Sequence, residues 1–171
     1  MKIEMGESLI YSWLRHEKLC QLVQTNWKVS PFWELENRQE IEDLFVICRN
    51  YFLEKHSFDI SKGCSLEQFL KQAEIDGIGI AYSTEAQYIY AVDVAYHEGG
   101  LNYGGKDETI TKIAQKCIRT ALCLYGYFSM STGEVLFVSP KITPAIETAL
   151  VPLFDEISKL LHDNGLNIKA I

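Results

Sequence analysis

The stretch from Glu74 to His97 places the tightest limit on what this chain can fold into. Two short runs, 77–82 (GIGIAY) and 88–96 (YIYAVDVAY), carry alternating apolar, β-branched and aromatic residues, the pattern of half-buried strands. Ser83-Thr84-Glu85-Ala86-Gln87 between them is a polar connection of hairpin length. Side chains two apart on a strand share a face, so Glu74 pairs with Asp76, and Asp93 with Ala95 and His97. If the strands are neighbours in a suitable register, Asp76 and Asp93 converge. Two carboxylates among Ile, Val and Tyr are costly unless a positive group joins them, and a divalent metal meets that need. Asp93, flanked by Val92 and Val94, has the stronger requirement for a partner.

The rest of the chain supplies layers for such a hairpin. Residues 7–20 fit an amphipathic helix with Leu9, Ile10, Trp13, Leu14 and Cys20 near one face, and Gly6-Glu7 at its start. Residues 21–28 read as a strand ended by Ser30-Pro31, and 35–54 as a helix burying Ile41, Leu44, Phe45, Cys48 and Phe52. Ser65 and Gln68 form a capping box for a short helix over 66–72. The four-glycine loop 99–105 lacks the G-K-[ST] ending of a P-loop and reads as a strand-to-helix connection rather than a phosphate cradle. The strongest helix spans 107–128. Its Lys112, Lys116 and Arg119, four and three apart, are expected on one exposed face, either as solvated surface or as phosphate contacts. A strand over 135–138 follows, then a helix from Pro144 to about residue 163 that Pro152 should kink or split. The expectation is a single α/β domain over 1–171, with a mixed central sheet of about four strands flanked by helices and a helical insertion over about 30–73.

Charge and cysteine usage narrow the function classes. Sixteen basic against 23 acidic side chains give a net charge of −7, which argues against non-specific coating of nucleic acid but not against a nuclease with local basic patches. The five cysteines are odd in number and without a C-x-x-C pair, so a structural zinc site is not expected; Cys117 and Cys123 read as small core residues. With no apolar run long enough to span a bilayer and no signal-peptide core in MKIEMGES, a reducing cytoplasm is the expected setting.

The order helix–strand–strand–strand–helix–strand resembles the core of the PD-(D/E)XK nuclease superfamily, the restriction-endonuclease-like sandwich. Asp76 and Asp93 fall where that superfamily carries its two acids. The chain is also similar to a small bacterial nuclease-like family related to Holliday-junction resolvases, through Gly6-Glu7, Asn26-Trp27, Glu74-Ile75-Asp76 and Asp93-Val94-Ala95 in order over residues 6–98. It departs from that family in the long segment before Glu74 and at Ala95, which stands where the motif has a lysine.

The resemblance implies a metal-dependent nuclease acting on DNA phosphodiester bonds, of restriction or repair type, on duplex or branched DNA. The alternative is a nuclease-fold module that binds nucleic acid or protein without catalysis. A third reading is an α/β domain whose acids serve only a structural ion pair. In the nuclease reading Glu7, Asp76 and Asp93 hold one or two Mg²⁺ or Mn²⁺ ions through oxygen ligands. Glu74 is either a further ligand or a solvent-facing acid. The missing lysine is replaced by His97 on the same strand face, or by a lysine from a neighbouring element, Lys106 or Lys112. Lys112, Lys116 and Arg119 contact backbone phosphates. A homodimer is expected if two strands are cut. Bland readings stand beside these: Glu7 as a dipole-complementing acid, His97 with Glu98 as a surface pair, and Trp27, Phe32 and Trp33 as a core edge rather than a base-stacking platform.

Overall fold

The computed structural model describes residues 2–83, 86–97 and 99–171, with side chains from Met5 onward. In chain order the elements are α1 (Lys2–His16), β1 (Leu22–Lys28), α2 (Arg38–His56), α3 (Leu66–Lys71), β2 (Glu74–Tyr82), β3 (Gln87–Val94), α4 (Lys106–Phe128), β4 (Thr132–Val138), α5 (Pro144–Asp163) and β5 (Asn167–Ala170). The strands form one mixed five-stranded sheet in the order β1-β2-β3-β4-β5. β1, β2 and β3 are antiparallel neighbours, whereas β3, β4 and β5 run parallel and are joined by the crossover helices α4 and α5. Among the described residues no helix is long and apolar enough to cross a membrane.

Helices cover both faces. On one, α1 packs Ile10 and Leu14 onto β2 at Gly77 and Gly79, where a side chain would not fit: a Cβ on Gly79 would lie 2.7 Å from Cys20 Sγ and 2.9 Å from Leu14 Cδ2. On the other, Ile78, Ile80, Ile89 and Ala91 join Ile113, Ala114, Cys117, Ile118 and Ala121 of α4 in the main core, with α2, α3 and α5 around them. The segment between β1 and β2 is mostly α2 and α3. Its Phe45 and Phe69 rings meet at 5.2 Å, and α3 opens on the capping box Ser65–Gln68. Trp27 is 2% exposed in an aromatic cluster with Trp33, Tyr127 and Phe128, while Phe32 stands free of it at 94% exposed. Cys117 and Cys123 are buried, as their surroundings imply.

Alternation along the first two strands breaks at one place. Gly77 and Gly79 lie under α1, but Ile75, two residues away, lies in the α4-side core with its partner Trp27. The reversal falls at Asn26, whose φ of 53° is left-handed, and at Asp76, the position across from it. A backbone twist at that point takes both residues out of the regular ladder and leaves their side chains free for other partners.

Four expectations need correction. α1 begins at Lys2, so Glu7 sits in its second turn rather than at its start. A fifth strand, β5, lies along β4 with Ile168 and Ala170 inward; four residues are too short to stand out from the end of a helix. Pro152 does not split α5, which runs on as one helix. Its ring sits in the third turn while Leu150, Leu153, Ile157 and Leu161 stay buried, so packing of the apolar face outweighs one missing N–H. Finally, the basic residues of α4 do not share one exposed face: Lys112 is exposed, but Lys116 and Arg119 are half-buried toward β2 and β3.

Candidate functional site

Gly77 lies opposite Val92 and Ile78 opposite Ala91, and one further step of that register sets Asp76 across from Asp93. Asp93 is 3% exposed and faces α4, where Lys116 Nζ donates to its Oδ1 at 2.7 Å. Thr120, one turn on from Lys116, is buried and lines the same small cavity as this carboxylate. Asp76 is half-buried, and its Oδ2 accepts the backbone N–H of Val94 at 2.6 Å, which ties the start of β2 to the end of β3. From the opposite layer, Glu7 Oε2 accepts from Asn26 Nδ2 at 3.1 Å. The Gly-Glu and Asn-Trp segments thus meet physically, and they meet beside Asp76.

Burial pushes the Asp76 carboxyl above its ordinary range; the Val94 N–H and Lys116 oppose this, and the charges of Asp93 and Glu7 add to it. Asp93 is raised as well, because burial outweighs the opposing effects of Lys116, Arg119 and Thr120. For Lys116, burial alone favours the neutral amine. The Asp93 charge and hydrogen bond, with Tyr103 and Asp76, more than offset it and hold the ammonium above its ordinary value. The half-buried Tyr103 hydroxyl is raised by burial; Lys116 opposes, and Asp93 and Asp76 reinforce. At both carboxyls, burial outweighs the cations nearby.

The other predicted residues are distributed around this cluster. Glu74 is exposed and pairs with Lys28 across β1–β2 at 2.6 Å, an ion pair that holds its carboxyl below the ordinary range. It also lines, with Asp93, Lys116, Arg119 and Thr120, a small cavity of about 60 Å³. His97 and Lys106 line a different and larger cavity, about 720 Å³, with the glycine loop and Thr143 at the start of α5. The His97 ring packs edge-on against Tyr103, centroids 4.9 Å apart, and lines a different cavity from Asp93. Lys112 Nζ lies 4.5 Å over the same ring. Of the side chains expected to assist the acids, His97, Lys106 and Lys112, none bonds Asp93; Lys116 does. Glu98, read as a surface partner of His97, lies outside the described residues, as do Thr84 and Glu85 of the hairpin turn.

Sequence reasoning missed Tyr103, Thr120 and the inward turn of Lys116. A signal for the last was present: Lys116 is three residues after Ile113 and four before Thr120, so all three share one side of the helix. Ala95 itself is buried and small, on the strand face of Asp93, which leaves room for a side chain arriving from α4.

Among the described residues no group of three or more His, Cys, Asp and Glu side chains is gathered closely enough to hold a metal. The donors at hand are the two carboxylates of Asp76 and Asp93. Two hard oxygen donors fit Mg²⁺ or Mn²⁺, which take one or two carboxylates together with water and phosphate oxygens; they do not fit zinc. Compared with family models, curated proteins and solved structures, the chain matches none.

Proposed function

We propose that the chain is a metal-dependent nuclease of the PD-(D/E)XK kind, with a restriction-endonuclease-like fold, that hydrolyses DNA phosphodiester bonds. The observation that carries this reading is the 2.7 Å contact of Lys116 with Asp93, beside Asp76 and over the small Ala95. The three charged groups of the motif are then assembled with the lysine supplied by α4 instead of β3. Asp76 and Asp93 would hold Mg²⁺ or Mn²⁺, with Glu7 steadied by Asn26 at the margin. Such an ion supplies, when bound, Lewis-acid polarisation of the phosphodiester and neutralisation of charge. Lys116, kept protonated by Asp93, serves as a hydrogen-bond donor: it orients the attacking water and balances charge on the pentacoordinate phosphorus. Exposed Lys112, resting on the Tyr103 ring, contacts the DNA backbone.

A second reading is a nuclease-fold module that binds nucleic acid or protein without cutting. The same ion pair favours it, because a lysine bonded to Asp93 competes with a metal for that oxygen. Plasmid and branched DNA incubated with Mn²⁺ separate the two. Cleavage that disappears in both Asp76→Ala and Asp93→Ala supports hydrolysis, and retention of DNA on a gel with no cleavage supports the binding module.

A further inference from the structure

A pocket of about 200 Å³ opens beside the acid cluster, between α4 and the turn that leads into α3, and shares Gln72, Lys116 and Arg119 with it. Its wall is built rather than incidental. Asp59 Oδ1 accepts the Ser61 N–H at 2.8 Å and the Ser61 hydroxyl at 2.6 Å, and Oδ2 accepts the Gly63 N–H at 3.2 Å. Arg49 Nε closes on the same carboxylate at 3.2 Å. Ile60 is buried beneath the turn, and buried Gln115 of α4 donates to the Asp59 carbonyl at 3.5 Å. These bonds hold Lys62 at φ 50° on the pocket rim, facing Lys112 and Lys116 of α4.

The charge there is one-sided. Of the four cations at the pocket, Lys62, Lys112, Lys116 and Arg119, only Lys116 makes an ion pair among the described residues. Arg119 spends Nη1 and Nη2 on the neutral oxygens of Gln72, at 3.3 and 3.2 Å. Lys112 rests on the Tyr103 ring. We infer that this pocket binds a phosphate monoester, and that on a nucleic-acid substrate the group is the terminal phosphate of a strand. A monoester carries about −1.5 to −2 charge at neutral pH, against one negative charge for a diester, so three cations outside any ion pair match it better. The volume equals roughly six waters, room for a phosphate and part of its hydration but not for a base pair. Shared Lys116 places the bound end next to Asp93. The strand assignment rests on the nuclease reading; the binding of phosphate does not.

The test uses the full chain without divalent ions. A short fluorescent oligonucleotide is titrated with a terminal phosphate and with hydroxyl ends only, with inorganic phosphate as competitor. Expected is binding about tenfold tighter for the phosphorylated strand, the worth of one charge-assisted hydrogen bond. Lys62→Gln and Lys112→Gln, both at exposed positions, each reduce that preference and lower the salt slope by about one. Competition by phosphate without any end preference overturns the strand assignment, and equal binding without competition overturns the pocket. Because no metal is present, an end preference in a protein that never cleaves keeps the pocket and removes the nuclease. Cleavage without end preference does the reverse.

Discussion

Two half-buried charge clusters lie on different parts of the molecule, and they behave oppositely. Between α2 and α5, Glu156 meets Lys55 at 3.0 Å and His56 at 2.7 Å, with the Tyr51 hydroxyl at 3.4 Å. Burial alone would raise its carboxyl, but the hydrogen bonds and charges of Lys55 and His56 win and hold it below the ordinary range. At the ends of β2 and β3, Asp76 and Asp93 are both pushed up despite Lys116. The first cluster is a satisfied structural ion pair. In the second, burial outweighs the nearby cation, and both carboxyls stay above their ordinary range.

The two lysines give the biggest predicted difference between the clusters. Lys116→Met should lower DNA cleavage by on the order of 10²–10⁴, the usual worth of a positioned proton-handling or donor group. Lys55→Met, at the satisfied cluster, should leave cleavage as it was. Equal rates for both variants would remove Lys116 from the proposed chemistry.

Metal binding should separate the two clusters as well. Millimolar Mn²⁺ should raise the thermal midpoint of the wild type, by the equivalent of about 2.7 kcal/mol at a hundredfold excess over Kd. The shift should vanish in Asp76→Asn and persist in Glu156→Gln. Scanning fluorimetry reads it directly, and a wild type indifferent to Mn²⁺ and Mg²⁺ would leave the acids as mere ion-pair partners.

The smallest effect lies in the pH dependence, where the signs are opposite. For Asp76 and Asp93 the folded value is raised, so their contribution is fully present below the ordinary carboxylate range and is lost as pH climbs through the raised value. For Glu156 the folded value is depressed, so its contribution is present above that range and is lost as pH falls through the depressed value. Asp76→Asn should therefore gain stability relative to wild type on going from acid to neutral pH, and Glu156→Gln should lose it. Urea unfolding at the two pH values, with EDTA present, distinguishes the slopes.

Much of the scaffold was legible because its signals are local. The apolar stripe of α4, the capping box of α3, Pro144 at the head of α5 and the alternating runs of β2 and β3 each report on neighbours within a few residues. Asp93 was legible for a related reason, since a carboxylate between Val92 and Val94 has no cheap solution in a buried strand. β5 was not, because Ile168 and Ala170 become a strand pattern only once β4 offers them an edge. Nor was the face reversal at Asn26 and Asp76, where a left-handed residue overrides the period of two.

Residue order alone determined that a carboxylate-bearing hairpin would be sandwiched by amphipathic helices, since hydrophobic period and turn chemistry act over a few residues. Which lysine answers Asp93 was decided by docking. Helical spacing puts Lys112, Lys116 and Arg119 near one another, but only the seating of Ile113, Cys117 and Thr120 against the sheet turns Lys116 inward while Lys112 stays in water. The distance between a side chain on a helix and another on a strand depends on the crossing of two layers, and no short-range pattern encodes that.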